Sequence, residues 1–183
     1  SSPQFFAAIA NIFCRKKLVT TEHSTNNRKR EKGGIFRLMD KWMYRRYNNV
    51  ICISEIAEKK LREYLGSTDG QHICTINNGV DVEIFHKAEL LPELKSEKFV
   101  AVMVAGFREA KDQDTLIKAM SLLPKEQFEL WLVGDGVRRG LLLNLVRELN
   151  LQENVKFLGL RTDVPSVLKS ADVVVMSSHW EGF

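Results

Sequence analysis

At 183 residues the chain has room for one domain or for parts of two, and its 44% hydrophobic content is that of a globular protein. It contains no run of about 18 uninterrupted apolar residues to mark a membrane span, and the apolar stretch from Phe5 to Phe13 is too short, and lacks the preceding basic residues, for a secretory signal. Charge is split: residues 1–80 hold 14 Lys and Arg against 7 Asp and Glu, and residues 81–183 hold 13 against 16, which points to two units, the first facing something anionic.

In chain order, strands alternate with helices. Gln4 to Phe13 predicts a helix with Phe5, Phe6, Ile9 and Phe13 on its apolar face. Lys17 to Thr21 is a short strand, followed by a polar, basic loop from Thr25 to Lys32. Gly33 to Tyr47 is a helix striped by Ile35, Leu38, Met39, Trp42 and Met43, and Asn49 to Ile53 is a strand. Ser54 caps the next helix and Gly66 ends it; His72 to Ile76 is a strand closed by the turn Asn77-Asn78-Gly79. Val80 to Lys98 has no strong period and reads as a connection between units. A second series follows: strands at Phe99 to Ala105, Phe128 to Val133, Val155 to Leu158 and Asp172 to Met176, with helices at Asp112 to Leu123, Val137 to Leu149 and Val164 to Ser170. This alternation implies an α/β chain with parallel sheets and right-handed crossovers. Cys14, Cys52 and Cys74 form no C-x-x-C pair and read as buried thiols, not as a metal site or a disulfide framework.

The chemistry-bearing residues cluster where strands end. After Val104 come Gly106, Arg108 and Lys111, and a helix then begins at Asp112; cations beside the exposed N–H groups of a helix start suit a phosphate. Read alone, that stretch also fits an ordinary charged loop. Gly134-Asp135-Gly136 turns out of the next strand, and Gly159 follows the one after. The last strand, a Val173 to Met176 run expected to be buried on both faces, leads to Glu181 beside Gly182 and Phe183. Polar or charged loops at one sheet edge describe a site for a phosphorylated ligand, without the G-x-G-x-x-G of a dinucleotide fold. Asp112-Gln-Asp114 reads as helix capping and not as a metal motif.

Three stretches, Gly106 to Met120 (GFREAKDQDTLIKAM), Leu130 to Gly136 (LWLVGDG) and Phe157 to Phe183 (FLGLRTDVPSVLKSADVVVMSSHWEGF), together with Asn78-Gly-Val-Asp81, resemble the retaining glycosyltransferases of GT-B family 4. The resemblance implies parts of two Rossmann-like domains: residues 1–80 from the acceptor-side domain, 81–98 as connection, and 99–183 from the donor domain. It implies transfer of a sugar from a nucleotide-diphosphate sugar, with retention and without a metal or other cofactor, in polysaccharide, lipopolysaccharide or glycolipid synthesis. Lys111 and Glu181 would be the catalytic pair, one neutralising the departing diphosphate and the other contacting the donor sugar. Arg108 and Gly106 would line the diphosphate, and Gly134, Asp135, Gly136, Gly159, Gly182 and Phe183 the nucleotide and sugar loops. His23 would be a polar residue of the acceptor side. The sequence departs from the family where an arginine commonly stands five residues before the lysine: Gly106 holds that place, and Arg108 follows two residues later.

The chain stops within the family's paired-glutamate motif, so it reads as a piece of a longer protein with little activity of its own. A cytoplasmic protein is expected, peripheral to the inner face of a membrane through Arg15-Lys-Lys17, Arg28 to Lys32 and the Arg37, Lys41, Arg45 and Arg46 face, with a sugar or lipid-linked acceptor. The alternatives are an epimerase or phosphorylase of the same architecture, or a non-catalytic module binding anions or nucleic acid. The last lacks aromatic interleaving and any nucleic-acid motif, so no nucleic acid is expected.

Overall fold

The computed structural model describes residues 2–23, 34–66 and 72–179. The expected basic loop from Thr25 to Lys32, and Glu181, Gly182 and Phe183, lie outside them. The chain divides into two compact units, the first running to Gly79 and the second starting at Val80.

The first unit is a three-stranded parallel sheet, β1 (Val19–Glu22), β2 (Asn49–Cys52) and β3 (His72–Thr75), in that spatial order. α1 (Ser2–Cys14), α2 (Gly34–Tyr44) and α3 (Glu55–Leu65) pack on one face. Their contributions are Ala8 from α1, Met43 and Tyr44 from α2, and Ala57, Leu61 and Leu65 from α3, closed over Val50, Cys52 and Ile73. The opposite face presents Val19, Thr21 and Cys74, all exposed. The expectation of three buried thiols therefore holds for Cys52 alone, because Cys74 points away from the helices and Cys14 ends α1 in solvent. The apolar stripes are corrected in the same way. Phe6 and Phe13 of α1, and Ile35 and Leu38 of α2, are exposed, because each helix meets the sheet along a narrower line than its apolar residues span. The α3 boundaries follow the local code. Ser54 Oγ accepts the Ala57 N–H at 3.3 Å, and Gly66, at φ 73°, returns its N–H to Arg62 O at 2.9 Å.

The second unit opens with a short helix, α4 (Val82–His86), and a 3-10 turn (Pro92–Leu94). The featureless connection expected at 80–98 is thus partly structured. Asp81 caps α4 through the Glu83 N–H, and Leu91 N–H donates to Ser170 Oγ at 2.8 Å. Five residues of helix are too few to show a period in the sequence.

The sheet of this unit has the order β6 (Val155–Gly159), β5 (Phe128–Val133), β4 (Phe99–Val104), β7 (Val173–Val174), all parallel. α5 (Gln113–Met120) and α6 (Arg139–Glu148) cover one face, where Met103, Leu130 and Leu132 meet Ile117, Leu142 and Val146. α7 (Val164–Lys169) covers the other, with Val167 against Val100, Val102, Trp131 and Val133. Alternate residues of β4 and β5 therefore serve two cores, which is why both read as unbroken apolar runs. Each such fully buried side chain contributes about 1.5–3 kcal/mol.

β7 departs from expectation. Its strand pairing covers two residues, and Val173 and Val174 are 39% and 54% exposed. It is the edge of the sheet, paired only to β4, and among the described residues nothing covers its outer side.

Candidate functional site

From β4 the sheet grows one way through β5 and β6, and then returns past β4 to place β7 on the other side. In open α/β sheets, ligands bind outside the carboxyl ends of the two strands at which such a reversal occurs. Here the loops at those ends are residues 105–112 after β4 and 175–179 after β7.

The first loop is held from beneath by the next two. Ala105 N–H donates to Val133 O at 3.0 Å, Phe107 N–H to Asp135 O at 3.0 Å, and Gly134 N–H to Gly159 O at 2.7 Å. The backbones touch so closely that only glycine fits at two places. A Cβ on Gly134, where φ is +135°, would lie 2.2 Å from Ala105 O, and one on Gly136 would lie 2.5 Å from Phe107 O. Phe107 is buried under the loop, edge-on to Phe157 at 5.9 Å.

Acidic side chains nearby are committed within the protein. Asp112, in the left-handed region at φ 46° and ψ 48°, caps α5 by accepting the Thr115 N–H at 3.3 Å. Hydrogen bonding by Thr115, joined by the charge of His179, holds the Asp112 carboxyl below the usual range. Asp114 takes a two-pronged pair of hydrogen bonds from Arg138, at 2.9 and 2.8 Å. Asp135 accepts the Gly136 N–H at 2.7 Å and faces Arg139 at 3.7 Å. Beside them Lys111 is half-buried, and Arg108 is exposed. Arg108 folds back, so that its Nε lies 4.0 Å from where a Cβ on residue 106 would stand.

The second loop is stitched to the first. His179 N–H donates to Ala110 O at 3.0 Å, and Ser177 Oγ reaches the carbonyls of Lys111 at 3.1 Å and Asp112 at 2.8 Å. Of the residues singled out from the sequence, Gly106, Arg108, Lys111, Gly134, Asp135, Gly136 and Gly159 thus share one edge of one sheet. Glu181, Gly182 and Phe183 fall beyond the described tail that runs beside Lys111. His23 belongs to the first unit, just after β1, with Nε2 3.0 Å from Thr21 Oγ1. Sequence reading missed Gln113 and Arg138. Gln113 is buried and donates to Gly106 O at 3.2 Å, with its Oε1 unpartnered. A buried amide one residue past a helix cap was the available signal for Gln113, and an arginine two residues past Gly136 the signal for Arg138. Among the described residues no three His, Cys, Asp or Glu side chains gather as a metal site, and no helix is long and apolar enough to cross a membrane.

Residues 87–183 match the family of Glycosyl transferases group 1, and residues 1–84 match Glycosyltransferase Family 4. The UDP-Gal:alpha-D-GlcNAc-diphosphoundecaprenol alpha-1,3-galactosyltransferase of Escherichia coli is 33% identical over 146 residues, covering 72% of this chain and 35% of that protein. The lipopolysaccharide core biosynthesis glycosyltransferase LpsD of Rhizobium meliloti is 30% identical over 138 residues, covering 75% and 39%. Among solved structures, Anabaena Alr3699/HepE in complex with UDP and glucose superposes with a TM-score of 0.78 at 24% identity, over 98% of this chain and 52% of that one. The chain therefore spans well under half of those two sequence relatives and about half of the solved structure. Its two parallel α/β units are of the GT-B type, and the chain belongs to the Glycosyl transferases group 1 family.

Proposed function

We propose that the protein carrying this chain transfers a sugar from a nucleotide-diphosphate donor to an acceptor, with retention of configuration and without a metal, and that the second unit takes the donor while the first serves the acceptor. The observation that carries the reading is the stitched switch point. The loop bearing Lys111 and Arg108 and the tail leading to Glu181 are joined by the His179 to Ala110 hydrogen bond. A departing sugar leaves negative charge on the diphosphate and positive charge on its anomeric carbon. Lys111, with Arg108 in the space that Gly106 leaves open, neutralises the first; Glu181 contacts the sugar on the other side. Cations fixed before the bond breaks stabilise that separation without rearranging. Gly134, Asp135, Gly136 and Gly159 shape the nucleotide side, with Gly182 and Phe183 following Glu181, and His23 serves the acceptor side.

The Escherichia coli relative is named for UDP-Gal and a diphosphoundecaprenol acceptor, and the Anabaena structure holds UDP and glucose. A uridine diphosphate sugar and a lipid-linked acceptor of cell-envelope polysaccharide synthesis are the first pair to assay. In the full-length protein, Lys111→Ala lowers turnover by about a hundredfold or more, and NMR of the product shows the donor's anomeric configuration. Undiminished turnover in that variant, or an inverted product, refutes the corresponding half of the reading.

A peripheral contact with an anionic, cytoplasm-facing membrane is supported by one further feature. Phe5, Ile9, Leu38, Met39 and Trp42 form an open apolar groove between α1 and α2. Part of the basic face is used internally, since Arg37 donates to Tyr64 O at 3.0 Å and Arg46 lies over the Trp42 ring at 5.1 Å. Sedimentation with phosphatidylglycerol vesicles at low salt tests it, and a protein that stays in the supernatant removes the idea.

A further inference from the structure

Two residues of the β7 tail make four links to three consecutive residues of the Lys111 loop. The Ser177 hydroxyl has one proton and two carbonyl acceptors, those of Lys111 and Asp112, at 3.1 and 2.8 Å. His179 N–H holds Ala110 O at 3.0 Å, and its Nε2 stands 3.4 Å from Asp112 Oδ2. Asp112 itself sits in the left-handed region, a conformation that non-glycine residues keep only when their surroundings enforce it. The peptide between Lys111 and Asp112 is therefore held at both ends, its carbonyl facing the Ser177 hydroxyl at 3.1 Å and its N–H donating to Glu109 O at 3.2 Å, while Thr115 N–H and His179 hold the Asp112 carboxylate beside it. The orientation of that peptide sets the direction in which the Lys111 side chain leaves the backbone.

We propose that Ser177 and His179 are positioning residues: they latch the Lys111–Asp112 turn to the tail of β7, so that the diphosphate cation is held in place before a ligand binds. This rests on the glycosyl-transfer reading above and adds to it two residues that touch no substrate. Their contribution is preorganisation, the holding of a charged group in place before the ligand arrives.

The test uses the full-length protein with UDP as the probe. Hydrogen exchange at the His179 and Thr115 amides is slow in the unliganded wild type. Ser177→Ala accelerates it about fivefold, the equivalent of one lost hydrogen bond, with a melting temperature lowered by no more than about 4 °C. The same variant weakens UDP binding about fivefold; Ser177→Thr, which keeps the hydroxyl, restores it. His179→Ala, which removes the contact with Asp112 and leaves the backbone bond, gives a weakening of about twofold. Unchanged exchange or unchanged UDP affinity in Ser177→Ala overturns the latch, and so does failure of Ser177→Thr to restore binding. If Lys111→Ala abolishes UDP binding while Ser177→Ala leaves it intact, the latch alone falls. If the wild type binds no nucleoside diphosphate, the glycosyl-transfer reading falls first.

Discussion

The two units are built from the same kind of parallel sheet and end their strands differently. In the first, the described bonds at the carboxyl edge continue the ladder. Ile53 N–H reaches Glu22 O at 3.2 Å, Ile76 N–H reaches Cys52 O at 2.9 Å, and His23 turns back to Thr21 of its own strand. In the second, the loops after four strands are bonded to one another, through Ala105 to Val133, Phe107 to Asp135, Gly134 to Gly159 and His179 to Ala110. The sheets are also covered differently, on one face in the first unit and on both in the second. A set of loops that share backbone hydrogen bonds is rigid before any ligand arrives. Such an edge suits the proposed donor site, whose charges must be held at fixed points.

The sharpest way to break this contrast is to separate the loops of the second unit. Gly134→Ala drives a Cβ into Ala105 O at a positive φ, and the strand-end contact cannot open without losing the Gly159 bond. It is expected to destabilise the second unit by about 3 kcal/mol or more. Gly66→Ala in the first unit, at φ 73° with only the flexible Lys41 Nζ at 3.5 Å, costs about 1–2 kcal/mol. Urea denaturation of both variants measures the pair; equal losses would show that the close approach at Gly134 carries no special weight.

Those glycines mark how far the sequence was legible. Gly134-Asp135-Gly136 announces a turn, and Ser54 and Gly66 announce the ends of a helix, because these signals are local and their physics lies within a few residues. That Gly134 must yield to Ala105, or that Arg138 must pair with Asp114 across 24 positions, depends on which loops the sheet order makes neighbours. No local pattern contains that order. The same limit accounts for the misread faces. Phe6 and Phe13 have the spacing of a buried stripe, but Ala8 is the α1 position that the sheet covers. That Gly106, Arg108, Lys111, Gly134, Asp135, Gly136 and Gly159 share one sheet edge was readable because each follows a strand in a regular series, and parallel strands deliver their carboxyl ends to a common edge.

A milder comparison sets one helix cap against the other. Ser54 caps α3 from an extended backbone, at φ −156°, whereas Asp112 caps α5 from a left-handed one. Ser54→Ala removes a cap alone and costs about 1 kcal/mol. Asp112→Ala removes the cap and also forces a β-carbon without a compensating side-chain bond into the left-handed region, for about 2 kcal/mol. Asp112→Gly recovers the conformational part, falling near the Ser54→Ala value, and Asp112→Asn stays close to the wild type because the amide oxygen still accepts from Thr115. Thermal melts of the four variants read the series, and an Asp112→Gly no more stable than Asp112→Ala would mean that the backbone conformation contributes nothing.

The smallest effect is a difference in acid sensitivity. Glu58 in the first unit has its carboxyl lowered from an ordinary 4.5, chiefly by the hydrogen bond from Thr75 Oγ1 at 2.6 Å and then by Arg62, against the opposing effect of burial. A carboxyl that ionises more readily folded than unfolded contributes stability above its unfolded value. That stability disappears as the pH falls through the lower, folded one. Glu58→Gln should therefore be less stable than the wild type at pH 7, and the gap should narrow as the pH falls below 4.5 and through the lowered, folded value. Asp112→Asn in the second unit follows the same sign, its gap narrowing as the pH falls below an ordinary 3.8 and through the lowered, folded value. Denaturant midpoints of both variants across that range follow the two windows. A gap for Glu58→Gln that does not narrow as the pH falls from 7 to where the native state itself unfolds would assign the contribution of that side chain to its shape and neutral hydrogen bonding, and not to the charge that Thr75 and Arg62 stabilise.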